Sequence, residues 1–104
     1  MEMRNKAVAA RKQVRAARAR KDWKQYDTAL SAALTVEPHN ETWLLERSTV
    51  RLRQRRAVDA LADAERLLSV NPAHARGHSV AATSLMHQQK YSKAAEKLVK
   101  SLAL

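Results

Sequence analysis

The chain of 104 residues carries 20 Lys and Arg against 10 Asp and Glu, a formal charge of +10, and 45% hydrophobic residues; it is long enough for one domain and too short for two independent cores. One Gly and two Pro leave little for hairpin turns, and the strong helix formers Ala, Arg, Lys, Leu, Gln and Glu dominate, so the expected fold class is all-α. With no Cys, disulfides and thiolate chemistry are excluded; with no apolar run approaching the ~20 residues of a membrane span and no signal peptide, a cytoplasmic protein without membrane attachment is expected, the nucleus being the alternative.

The charge is uneven: residues 1–25 hold nine basic and two acidic groups, 26–74 six and seven, 75–104 five and one. In the first segment Arg11, Arg15 and Arg18 recur at i, i+4 and i+7 and so share one helix face. Between Arg4 and Lys24 the only carboxylate is Asp22, which leaves this row self-repelling until something anionic arrives. Trp23, Tyr26, Leu30, Ala33, Leu34 and Val36 mark the apolar face of a helix near 23–37. Pro38 blocks its continuation, and Asn40 before Glu41 is a suitable N-cap for a helix near 41–54 carrying Leu44, Ser48, Arg51 and Leu52. Leu61, Ala64, Leu67 and Leu68 place a partner helix near 57–70. Pro72 forces the next corner, with Asn71 expected to cap the helix of Ala81, Ala82 and Leu85. After the linker Gln88-Gln89-Lys90, a last helix is striped by Tyr91, Ala94, Ala95, Leu98 and Leu102. Trp23 and Tyr91 hold equivalent positions and are expected to be core wedges, while Trp43 suits either core or groove.

The two prolines lie 34 residues apart and close similar stretches, Ala33-Leu34-Thr35-Val36-Glu37-Pro38 and Leu67-Leu68-Ser69-Val70-Asn71-Pro72; Ser101-Leu102-Ala103-Leu104 falls in the same frame. This pattern resembles the tetratricopeptide repeat (TPR), with units at about 7–40, 41–74 and 75–104. The third matches best, through Lys90-Tyr91-Ser92-Lys93-Ala94-Ala95; the second keeps Ala60-Leu61 and Leu67-Leu68; the first is degenerate, with Tyr26 where the family prefers Ala. Lys21, Arg55 and Gln89 stand where the family favours Gly at the turn within a unit. The resemblance implies a right-handed α-solenoid of three helix-turn-helix units, six antiparallel helices in one domain, rather than a plain helical bundle.

It also implies a protein-interaction module whose first helices line a concave groove. On the family's groove positions the peptide-binding candidates are Arg11, Arg15 and Arg18, then Leu45, Thr49, Leu52 and Arg53, then Arg76, Val80 and Met86. Guanidinium forks beside an apolar floor suit an acidic partner segment with one or two apolar anchors. Arg47, Asp63-Ala64 and Ala75-Arg76 resemble the co-chaperone subgroup, which holds chaperone C-terminal tails in a carboxylate clamp of Lys, Asn, Asn, Lys and Arg. Carried over by position, that clamp falls on Arg11, Arg15, Glu46, Arg76 and Val80; Glu46 has the wrong sign and Val80 lacks a charge, so the clamp is degenerate. Asn5-Lys6-Ala7 resembles the subgroup's Asn-Lys-Ala but lies ten residues too far from Pro38.

Other chemistry finds less support. His74 and His78 sit at i, i+4, but a zinc site needs further ligands, and exposed histidines near a helix start are the expectation; no metal or cofactor is expected. No Gly-rich loop or paired carboxylates suggest an enzyme. The rival reading is a nucleic-acid or ribonucleoprotein subunit, for which Arg51-Leu52-Arg53-Gln54-Arg55-Arg56 and the Arg11–Lys24 stretch give a basic footprint. Solenoids usually end in a polar cap, whereas Leu98, Val99, Leu102 and Leu104 finish this chain. A domain excised from a larger protein, or self-association through the last helix, is therefore expected.

Overall fold

The computed structural model describes residues 2–104, with side chains from Lys6 onward; Asn5 of the Asn5-Lys6-Ala7 match lies outside the described side chains. Six helices follow one another: α1 (Glu2–Arg20), α2 (Trp23–Val36), α3 (Glu41–Arg53), α4 (Ala57–Val70), α5 (Ala75–His87) and α6 (Tyr91–Ala103), and no strand occurs among the described residues. They pack as hairpins α1–α2, α3–α4 and α5–α6, stacked through α2–α3 and α4–α5. The first hairpin does not reach the third, and the molecule extends 46 × 26 × 18 Å. Contact only between hairpins adjacent in sequence is the mark of a solenoid, and it excludes the plain bundle.

Small residues make the close crossings. Ala33, Ala60, Ala64, Ala81 and Ala82 are fully buried beside Leu30, Leu44 and Leu67. The larger apolar cluster spans the first two hairpins and includes Trp43, which is therefore core. At Gly77 even a Cβ would stand 3.1 Å from the Cδ2 methyls of both Leu67 and Leu68, so α5 crosses α4 where a side chain barely fits.

The hairpin corners follow a common plan. Lys21, Arg55 and Gln89 have φ of 54°, 60° and 61°, the left-handed conformation that usually favours glycine after a helix. At the second corner Arg55 N–H donates to the Leu52 carbonyl (3.0 Å) and Arg56 N–H to that of Arg51 (2.8 Å); Gln89 and Lys90 do the same toward Met86 (2.9 Å) and Leu85 (2.8 Å). These paired bonds satisfy carbonyls left over at a helix end.

At the N-termini, Asn40 caps α3 by accepting from Trp43 N–H at 3.0 Å, as its sequence position suggests. Asn71 does not cap α5. It ends α4, accepts from Ala73 N–H (3.1 Å) and donates to Glu41 (2.9 Å). The turn at Pro72 and Ala73 delays the next helix to Ala75, and His74 becomes the cap, its Nδ1 accepting from Gly77 N–H at 3.0 Å. His78, expected to be exposed, is buried, and its Nε2 donates to the Pro72 carbonyl at 2.7 Å. It lies one turn beyond the cap. Trp23 and Tyr91 are corrected too: as first residues of α2 and α6 they stand at the hairpin ends, 38% and 63% exposed, while Tyr26 and Ala94 one turn later point inward.

An ionic cluster ties α2, α3 and α4 together. Arg47 grips Asp63 with two bonds (2.9 and 2.6 Å) and donates to Ser31 (3.1 Å). Arg51 bridges Asp63 (3.1 Å) and Asp27 (3.3 Å), and Arg56 joins Asp27 (2.9 Å) to Asp59. Two of the four arginines in the basic run 51–56 are therefore neutralised within the fold. No helix among the described residues is long and apolar enough to cross a membrane.

Candidate peptide-binding groove

Successive first helices α3 and α5 touch each other directly, and a groove of about 430 Å³ runs along them to the end of α1. Its floor is apolar, built from Leu45 and Val50 of α3 and Val80 of α5, with Thr49 and Ser79 between them. Arg53 and Arg76 also line it, and Arg18, Trp23, Tyr26 and Glu46 complete the lining. The structure thus brings together Arg18, Leu45, Thr49, Arg53, Arg76 and Val80 of the candidates named from the sequence. Arg11, Arg15, Leu52 and Met86 do not line it. Arg11 and Arg15 are exposed higher on α1, and Met86 is exposed in the last turn of α5.

Trp23, Tyr26 and Val50 were not among the groove positions read from the sequence, whereas Ser79 was. Trp23 enters because a residue opening α2 leans over the hairpin end instead of into the core. Its ring stacks near Tyr26, with centroids 6.4 Å apart and planes inclined by 23°, and the Arg53 guanidinium sits 4.9 Å over its centroid. That is cation–π geometry, between two residues that both line the groove.

Two of the three arginines in the α1 row, Arg11 and Arg18, meet carboxylates. Arg11 meets Glu37 at 3.6 Å, an exposed pair of little energetic weight. Arg18 is held more fully: its Nη2 donates to Glu46 Oε1, its Nε to the Tyr26 hydroxyl at 3.0 Å, and that hydroxyl donates to Glu46 Oε2 at 2.7 Å. The bond to Tyr26, then that to Glu46, raise the Arg18 pKa above its ordinary value. Burial, then the bond to Glu46, raise that of Tyr26. Both carboxylates come from beyond the α1 sequence window, one from the corner after α2 and one from α3.

No protein-family model matches the chain, and no curated protein sequence matches it. Solved structures do resemble it. The second TPR of Spaghetti (RPAP3), bound to the HSP90 peptide SRMEEVD, superposes with a TM-score of 0.88 at 11% identity, over 99% of this chain and 97% of that one. The TPR2B domain of yeast Sti1, from its complex named with pHsp70, gives 0.82 at 21% identity, over 92% and 77%. The Sgt2 TPR domain of Aspergillus fumigatus gives 0.83 at 23% identity, over 93% and 64%.

The fold is that of a TPR domain.

At 11–23% identity these likenesses are likenesses of fold. In this TPR fold the family's clamp positions separate. Glu46, Arg76 and Val80 line the groove, while Arg11 and Arg15 lie off it. Arg47 and Asp63, the subgroup-like residues of the second unit, are structural and bind each other. His74 and His78 are absorbed by the α5 cap and the corner before it, and no group of three His, Asp or Glu among the described residues could hold a metal ion.

Proposed function

We propose that this TPR domain is an adaptor that holds an extended, acidic segment of a partner protein in the groove along α3 and α5. A carboxylate of the ligand docks on Arg53 and Arg76, and an apolar side chain rests on Leu45, Val50 and Val80. The observation that carries this reading is the coincidence of the two guanidiniums with an apolar floor in a single groove, with no carboxylate of the described residues paired to either. Guanidinium forks bind carboxylates with charge-assisted bonds. A chaperone C-terminal tail is the most specific form of the proposal, supported by the likeness to a TPR domain bound to SRMEEVD, a peptide that joins acidic and apolar side chains.

Calorimetric titration with SRMEEVD, a scrambled version and a short RNA, at two salt concentrations, tests the reading. The expected result is preferential binding of the ordered peptide, lost in Arg76→Glu and kept in Arg66→Glu, which changes an exposed residue of α4 away from the groove. Equal, salt-sensitive binding of all three ligands would overturn it in favour of a diffuse basic field that also takes nucleic acid.

A further inference from the structure

A carboxylate already sits inside the groove. Glu46 projects from α3 between the apolar floor and α1, with its side chain only 22% exposed. One oxygen accepts from the Arg18 guanidinium and the other from the Tyr26 hydroxyl, which itself accepts from Arg18. The three groups close a ring of hydrogen bonds. Arg18 therefore holds an internal anion in the way it would hold one from a ligand, and this end of the groove is neutral. Arg53 and Arg76 have no such internal partner among the described residues.

We infer that Glu46 is a specificity-determining residue: a built-in carboxylate that occupies the α1 half of the groove and restricts it to ligands whose acidic group docks on the α3–α5 half. The inference rests on the peptide-binding reading above and deepens it. A second acidic residue placed toward α1 meets a satisfied ion pair. Arg18 keeps uncommitted N–H donors, but its charge is already balanced by Glu46, so a second carboxylate that bonds to it must also stand against the Glu46 carboxylate. The groove therefore reads one anionic position plus an apolar anchor, and additional acidic residues add little affinity.

The test compares SRMEEVD with SRMQQVD, by calorimetry at one ionic strength, on the wild-type chain, E46Q and R18A. The glutamine of E46Q keeps the size of the side chain and removes its charge, which frees Arg18 for the ligand. The preference for the Glu-Glu peptide over the Gln-Gln peptide is expected to rise by about fivefold or more in E46Q. In R18A, where Glu46 is left unpaired, it is expected to fall below the wild-type value. A change that tracks peptide charge in opposite directions is not produced by general damage to the groove. Should E46Q lose helicity by circular dichroism, R18A decides alone, and a preference no lower than wild type overturns the inference. Equal preferences in all three proteins overturn the inference while leaving the peptide-binding reading intact. Absence of binding to every protein overturns both.

Discussion

Lys21, Arg55 and Gln89 each place a side-chain-bearing residue in left-handed backbone at an exposed corner. Glycine relieves roughly 1–2 kcal/mol of steric cost there and gives back ~0.4–1 kcal/mol through the entropy of the unfolded chain. Substitution of any one by Gly is expected to stabilise the domain by about 0.5–1 kcal/mol, visible as a rise of several degrees in thermal unfolding. These positions were legible through the resemblance to the TPR family, which favours Gly at this turn because a corner after a helix often calls for left-handed backbone. Tyr26 was not. Its period placed it correctly on the inner face, but its partners Arg18 and Glu46 come from other helices, out of reach of any local pattern. Its phenol, raised above the ordinary 10.0 chiefly by burial and then by Glu46, keeps its proton more tightly folded than unfolded. The corresponding stability is complete below about pH 10 and lost as pH climbs through the folded-state value. A Tyr26→Phe variant is expected to show a flatter fall of stability above pH 10 than wild type, measured by denaturant titration along a pH series.

Among the elements, α2, α3 and α4 are joined by more than apolar contact. Arg47, Arg51 and Asp63 are largely buried, with side-chain exposures of 12%, 16% and 4%. Removing Asp63 strands guanidiniums away from water, so Asp63→Ala is expected to cost about 3–5 kcal/mol, a large share of the ~5–15 kcal/mol that holds a typical domain folded. The double variant Arg47→Met/Asp63→Leu, which leaves Arg51 only its bond to Asp27, is expected to recover part of that loss, and chemical denaturation of the two variants reads how much of the cost comes from orphaning Arg47. The helix boundaries were largely readable, since Pro38, Pro72 and the spacing of Leu and Ala bracket each one. The start of α5 was not. Asn71 has the chemistry of a cap, yet the turn after it passes that role to His74, an assignment that depends on three-dimensional reach. The Arg51–Arg56 run likewise reads as free positive charge until Asp27, Asp59 and Asp63 arrive from α2 and α4.

Across the whole molecule, burial fades toward α6, which fully buries Ala94 alone and leaves Val99 and Leu102 66% and 88% exposed. Leu102→Ser is expected to change stability by no more than about 0.5 kcal/mol. Leu67→Ala, at a fully buried position between the second and third hairpins, is expected to cost about 2–5 kcal/mol. Equal losses in urea titrations would contradict this gradient. The same architecture explains how far the groove could be foreseen. The repeat frame placed Leu45, Thr49, Arg53, Arg76 and Val80 together because α3 and α5 touch. Arg11 and Arg15 do not line this groove, because α1 makes no comparable approach to α3 and only its last turn, at Arg18, meets it.

The two tryptophans give the molecule its own optical gauge. Trp43 is sealed in the core, whereas Trp23 is 38% exposed and lies beneath the Arg53 guanidinium at the lip of the groove. A carboxylate that draws Arg53 aside changes the electric field on the indole of Trp23 and leaves that of Trp43 untouched. If the groove binds as proposed, its occupancy is expected to alter the intrinsic emission of Trp23, a readout that needs neither dye nor tag.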